Sequence, residues 1–214
     1  MSLVLSPLYV ILDAALLTTS ELDVAKQLTD AGVRLFQYRN KRGSSRELLQ
    51  ASSALAAELV PAGASFFVND RPDVAYLSGA SGVHVGQHDL PVAESRAVLG
   101  SGRLLGVSTH NLEQFRSAVA TDADYIALGP VFATDSKPNP DPVVGTAMIR
   151  EARKLTQKPI VAIGGITLER AREVIEAGAD SVAVISDILR APNPGKRARQ
   201  FLDLVQPLIR SAKN

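Results

Sequence analysis

Several short stretches of this 214-residue chain gather side chains that can hold anions or a hard cation. In Gln37-Tyr38-Arg39-Asn40-Lys41, the residues Gln37, Arg39 and Lys41 recur at every second position, so an extended backbone sends all three the same way and aims two cations at one place. Asn69-Asp70-Arg71-Pro72 and Val85-Gly86-Gln87-His88-Asp89-Leu90-Pro91 each supply an acid shortly before a proline. Read singly, such an acid is a helix cap. Read together, Asp70 and Asp89 can share Mg²⁺, which takes one or two carboxylates and completes its shell with water and phosphate oxygens. His84 and His88 stand four apart, but a strand and its loop do not gather such residues on one face as a helix would, so a histidine metal site is not expected.

Further along, Ser108-Thr109-His110 offers hydroxyls that either cap a helix or contact a ligand; the sequence leaves both readings open. The stretch from Gly129 to Lys137, followed by Pro138, Pro140 and Pro142, is long for a loop in a compact domain and reads as a lid. Within it Thr134, Ser136 and Lys137 can donate to phosphate oxygens; the plainer alternative is a polar loop stiffened by proline. Ile163-Gly164-Gly165-Ile166-Thr167 and Val184-Ile185-Ser186-Asp187-Ile188 resemble the glycine-rich turn and short extra helix, here Ile185 to Leu189, that admit a phosphate to backbone N–H groups. Many anion donors and two metal-ready acids, without a nucleophile paired to a base, suit chemistry in which a phosphorylated leaving group is helped away.

These stretches need a scaffold that brings them to one end. Aliphatic or β-branched runs alternate with amphipathic segments along the whole chain. Strands are expected at Leu8 to Leu12, Leu35 to Arg39, Ser65 to Asn69, Gly82 to Val85, Leu104 to Ser108, Tyr125 to Leu128, Pro159 to Ile163 and Ser181 to Val184. Helices are expected at Glu21 to Asp30, Ser45 to Leu59, Pro72 to Leu77, Val92 to Leu99, Leu112 to Ala120, Gly145 to Leu155, Leu168 to Glu176 and Ala198 to Arg210. Ala31-Gly32, Ala80 to Gly82 and Ala177-Gly178-Ala179-Asp180 read as helix ends closed by a left-handed glycine. The α/β pattern is that of a single-domain (β/α)₈ TIM barrel over residues 1–214, with the candidate residues at the C-terminal ends of the strands; an open doubly wound sheet fits eight strands less well.

Composition bounds the function. A formal net charge of +1 argues against nucleic-acid or membrane-surface binding, and 46% hydrophobic residues suffice for one core. The absence of cysteine excludes disulfides and thiolate chemistry. The N-terminus has no basic leader, no apolar run is long enough to span a bilayer, and a cytoplasmic protein is expected; a homo-oligomer is compatible with the sequence.

The blocks QYRNK, FVNDR, GVHVGQHDLP, GVSTHN, ALGPVFATDSK, IGGIT and AVIS, in this order and spacing from Gln37 to Ser186, closely resemble the thiamine phosphate synthase family. The resemblance implies that Gln37, Arg39, Lys41, Asn69, Ser108 and Lys137 hold an aminopyrimidine methyl pyrophosphate, with Arg39, Lys41 and Lys137 serving catalysis. Asp70 and Asp89 would bind Mg²⁺, and Thr134, Ser136, Gly165, Ile185 and Ser186 would receive a thiazole phosphate. Tyr38, Asn40 and Asp135 fall within the same binding segments. The implied mechanism is loss of pyrophosphate to a pyrimidine methylene cation, captured by the thiazole nitrogen. One departure is Asn40, where the family pattern has an acid; it is expected to tune the local field. A related thiazole tautomerase shares several blocks, but it carries histidine in place of Pro130 and lacks the acid at Asp89. A precursor-binding protein without turnover is opposed by the intact set of cations and acids.

Overall fold

In the computed structural model, which describes residues 5–134 and 141–212, eight parallel strands close into one barrel in sequence order. They are β1 (Leu8–Asp13), β2 (Leu35–Arg39), β3 (Ser65–Asn69), β4 (Gly82–Val85), β5 (Leu104–Thr109), β6 (Tyr125–Leu128), β7 (Ile160–Ile163) and β8 (Ser181–Val184). The helices between and after them are α1 (Glu21–Asp30), α2 (Ser45–Leu59), α3 (Pro72–Ser78), α4 (Val92–Leu99), α5 (Leu112–Val119), α6 (Gly145–Leu155), α7 (Leu168–Glu176), α8 (Ser186–Leu189) and α9 (Pro194–Ala212). No helix among the described residues is long and apolar enough to cross a membrane.

Both faces of a barrel strand are covered, which is why β1, with the sequence LYVILD, is buried along its whole length. Outward residues such as Phe36, Tyr38, Phe66 and Leu105 pack against the helices, in one cluster with Leu28, Leu55 and Phe201. Fully burying each large apolar side chain contributes about 1.5 to 3 kcal/mol. Inward residues form a second cluster around Tyr9, Phe67 and Tyr125, whose ring centroids lie 5.9, 6.1 and 5.4 Å apart. Three rings fit inside the barrel because neighbouring strands contribute glycine: a Cβ on Gly106, paired with Tyr125 in the sheet, would stand 2.0 Å from Tyr125 Cζ.

β1, β5, β7, α3 and α5 each differ from the sequence-based expectation by one residue at one end, and two departures are larger. The left-handed residue closing α3 is Gly79 (φ 77°), whereas Gly82 lies inside β4. Helix α9 begins at Pro194, four residues before the expected Ala198, because Asn193 Oδ1 accepts from Lys196 N at 2.8 Å and proline needs no N–H in the first turn.

At the N-terminal end of the strands, two arginines repeat one device. Arg153 donates to the carbonyls of Thr156 and Lys158 and to Asp180 Oδ2 at 2.7 Å, and the same oxygen accepts from Ile160 N. Arg96 likewise joins the carbonyls of Gly100, Arg103 and Asp122 to Asp124, whose Oδ2 accepts from Leu105 N at 2.8 Å.

Candidate active site

The C-terminal strand ends carry the candidate residues in two neighbouring groups. In the first, Lys41 after β2 makes an ion pair with Asp70 after β3. Burial raises the Asp70 pKa above the usual carboxylate value, contact with Asp89 raises it further, and Lys41 opposes both. The two carboxyl groups therefore stand close enough to repel as anions, and all the donors are hard oxygens, which fits a small divalent cation. Among the described residues no cluster of three or more His, Asp or Glu side chains offers a complete metal cage, so solvent or ligand oxygens would have to finish the shell.

Neither acid caps a helix. Arg71 and Pro91 occupy the cap positions of α3 and α4 without side-chain caps, and Asp89 Oδ2 accepts from Gly86 N at 2.8 Å within its own loop. Asp70 has φ 64°, a conformation that costs a non-glycine residue of order 1 to 3 kcal/mol and that clusters at functional sites. The capping alternative for Ser108 fails as well: Asn111 caps α5, Ser108 Oγ meets His84 Nε2 at 2.8 Å, and Thr109 donates to Ala127 O inside the barrel wall.

The second group lines a cleft that opens to solvent. Arg39, Ser108, Thr134, Gly165, Ile185 and Ser186 all border it, as do His110 and Pro130. Arg39 is held by Asp13, Nη1 to Oδ2 at 2.5 Å, while Asp13 Oδ1 accepts from Ala15 N. Asp13 gives no signal in the sequence because the apolar run of strand one stops at Leu12; in the structure the strand runs one residue on and pairs Asp13 with Arg39 in register. Gly164 and Gly165 take φ 101° and 63°, and a Cβ on Gly165 would stand 2.3 Å from Ala133 O. The glycine pair thus lets the loops after β6 and β7 pack together as well as exposing backbone toward the cleft.

The remaining candidates are placed differently. Gln37 points into the barrel and donates to the Tyr9 hydroxyl at 2.9 Å. Asn69 ends β3 opposite His84. Tyr38 faces the helices within the outer cluster, away from the cleft. Asn40 organises its own loop, its Oδ1 accepting from Arg42 N and Gly43 N at 3.1 and 2.9 Å and its Nδ2 donating to Tyr38. Asp135, Ser136 and Lys137 lie outside the described residues. The short helix expected from Ile185 is α8, with Ile185 as its cap residue.

A closed (β/α)₈ barrel whose strand ends gather cations, paired acids and a glycine-lined cleft has the architecture of a barrel enzyme with its site at the C-terminal ends of the strands. Residues 8–188 match the family model described as thiamine monophosphate synthase. The chain is 52% identical over 181 residues to the thiamine-phosphate synthase of Koribacter versatilis, covering 85% of this chain and 84% of that one. It is 42% identical over 199 residues to the thiamine-phosphate synthase of Chloroflexus aurantiacus, covering 92% of each. Among solved structures, thiamine phosphate pyrophosphorylase from Pyrococcus furiosus superposes with a TM-score of 0.86 at 30% identity, covering 95% of this chain and 97% of that one. The chain belongs to the thiamine monophosphate synthase family, whose members named here are transferases.

Proposed function

We propose that the chain joins an aminopyrimidine methyl pyrophosphate to a thiazole phosphate and releases pyrophosphate, the activity for which its relatives are named. The observation that carries this reading is the meeting of Asp70, Asp89 and Lys41 on one rim beside the Arg39 cleft. Asp70 and Asp89 would hold Mg²⁺, which supplies positive charge to a departing pyrophosphate. Arg39 needs little reorganisation to bind the same anion, because Asp13 already fixes its guanidinium. Lys41 exchanges its resting partner Asp70 for pyrophosphate, and Lys137 is assigned to that anion too.

Gln37, Asn69 and Ser108 orient the pyrimidine, while Thr134, Ser136 and the backbone of Gly165, Ile185 and Ser186 receive the thiazole phosphate. Asn40 and Tyr38 support the first binding loop through the contacts described above, and Asp135 belongs to the loop that carries Ser136 and Lys137. The methylene carbon–oxygen bond breaks with both electrons leaving on pyrophosphate, and the thiazole nitrogen lone pair forms the new carbon–nitrogen bond. If the thiazole is carboxylated, CO₂ leaves as well. No proton needs to be removed by the enzyme in the first step, which accords with a site rich in donors and lacking a nucleophile paired to a base. Phosphorylated metabolites as substrates fit a cytoplasmic setting.

Incubating the purified chain with both substrates and Mg²⁺ tests the reading. Thiamine phosphate and pyrophosphate are expected in equal amounts. Isomerised thiazole without pyrophosphate, or binding of either precursor without product, would overturn it.

A further inference from the structure

The chemistry above makes no use of the middle of a polar run that crosses the barrel interior. Gln37 Nε2 donates to the Tyr9 hydroxyl at 2.9 Å, and the Tyr9 and Tyr125 hydroxyls are 3.0 Å apart. The Tyr125 hydroxyl lies 2.8 Å from His84 Nδ1, and His84 Nε2 lies 2.8 Å from Ser108 Oγ. Gln37, Tyr9, Tyr125 and His84 are 3, 1, 0 and 8% exposed, while Ser108 borders the cleft. Five side chains from β1, β2, β4, β5 and β6 thus form one file from a buried amide to a ligand-facing hydroxyl.

The hydrogens in this file can be placed by requiring every buried donor to find an acceptor. Both phenols are protonated, since burial raises their pKa values, so each has one hydrogen to place. The Tyr9 oxygen accepts from Gln37, and the file offers Tyr9's own hydrogen only the Tyr125 oxygen. Tyr125, having accepted, gives its hydrogen to His84 Nδ1. The imidazole hydrogen then sits on Nε2 and is donated to Ser108 Oγ. The reverse order would have Tyr9 accept twice and leave its own hydrogen facing the apolar ring cluster, an arrangement disfavoured by roughly tenfold or more.

We propose that Tyr9, Tyr125 and His84 polarise Ser108, so that its hydroxyl enters the cleft as a hydrogen-bond donor and selects a ligand atom that carries a lone pair and no hydrogen. His84 and Tyr125 are positioning residues that act through Ser108. The inference rests on the proposed ligand contact of Ser108, but its hydrogen pattern exists without any ligand. In the proposed reaction the atom selected is an acceptor on the pyrimidine pyrophosphate. The polar file gives each of the two buried tyrosine hydroxyls a hydrogen-bond partner inside an otherwise apolar barrel interior.

The test uses the full chain with isotope-labelled histidine, the His84 signal being identified among those of the three histidines by its loss in His84→Gln. Nitrogen NMR, recorded at a pH high enough for a neutral imidazole, is expected to show the ring of His84 with its hydrogen on Nε2. Tyr125→Phe removes the donor to Nδ1 and should convert this signature to a tautomer mixture. Tyr9→Phe removes a hydroxyl from the same cluster but spares the Tyr125–His84 contact, and should preserve it. In turnover, Tyr125→Phe should lower kcat/KM for the pyrimidine pyrophosphate by about tenfold when Ser108 is present, and by less than about twofold in a Ser108→Ala background. A hydrogen on Nδ1 of wild-type His84, or an equal fall in both backgrounds, would overturn the proposal. Failure of the wild-type chain to release pyrophosphate would instead defeat the proposed function, and the tautomer measurement would still decide the hydrogen pattern.

Discussion

At the end of the barrel where helices return to strands, Arg153 joins Asp180 and two carbonyls, Arg96 does the same around Asp124, and each of these carboxylates also receives a backbone N–H. At the opposite end Asp70 and Asp89 press on one another, and Asp70 is further held in a left-handed backbone conformation. The lower sets are closed: every charge meets its complement, and the chain is tied to itself. The upper set is left with excess negative charge at one point, which costs stability in the free protein and, on the proposed function, would be relieved by a bound cation. Asp13 with Arg39 is intermediate, a nearly buried acid that holds a cation without turning it away from the cleft. Folding energy is thus concentrated at one rim and binding capacity at the other.

The largest effect should come from removing an upper acid. Asp70→Ala or Asp89→Ala is expected to lower kcat/KM by on the order of 10² to 10³ while leaving the unfolding midpoint within a few degrees of wild type. Wild-type turnover in both variants would erase the functional half of the comparison. At the lower rim, Arg153→Met should do the reverse. It deletes three charge-assisted hydrogen bonds from a partly exposed site and should cost about 2 to 3 kcal/mol in urea unfolding, with kcat unchanged for the folded fraction. A variant equally damaged in kcat would show that the two rims are not separable.

Asp13→Asn sharpens the intermediate case. It keeps an acceptor for Ala15 N but loses the charge that fixes Arg39, and kcat/KM for the pyrimidine pyrophosphate should fall by about tenfold. A smaller effect, of opposite sign on stability, is expected from Asp89→Asn in metal-free protein. Because the folded pKa of Asp70 is raised above 3.8, its ionisation penalises the folded state: the penalty is absent well below that pH, grows as pH rises through it, and is complete above the raised value. Removing the neighbouring charge should therefore stabilise the metal-free chain by about 0.5 to 1 kcal/mol at neutral pH and by nothing in strong acid. Chemical unfolding as a function of pH would measure this. A gain that is constant across the range would mean that repulsion between the two acids is not its source.

The fold was largely legible in the sequence, because parallel barrel strands are short, apolar on both faces and spaced by amphipathic helices; β2, β3, β4, β6 and β8 have the expected bounds. The start of α9 was obscured because Asn193-Pro194-Gly195 has the composition of a turn, although the same residues serve as cap and first turn. At the site, the recurrence of cations and acids after successive strands marks Arg39, Lys41, Asp70 and Asp89 as candidates, and the structure places them at the same end of the barrel. Asp13 stands at that end too, but the apolar run of strand one stops one residue before it. Tyr9, Tyr125 and His84 gave no comparable signal: they come from distant parts of the chain, and only closure of the barrel brings their polar tips into line. Tyr38 illustrates the converse, since a residue inside a binding block can face the helices simply because side chains alternate along a strand.

The most direct test of the account is a Mg²⁺ titration of pyrophosphate release, with both substrates present, in the wild-type chain and in Asp89→Asn. Release by the wild-type chain is expected to depend on Mg²⁺, with a half-saturating Mg²⁺ concentration at least about tenfold higher in the variant, because one of two proposed carboxylate ligands loses its charge. Identical Mg²⁺ dependence in the two proteins, or wild-type release that proceeds fully in the presence of a chelator, would contradict the claim that the open acid pair is the cation site.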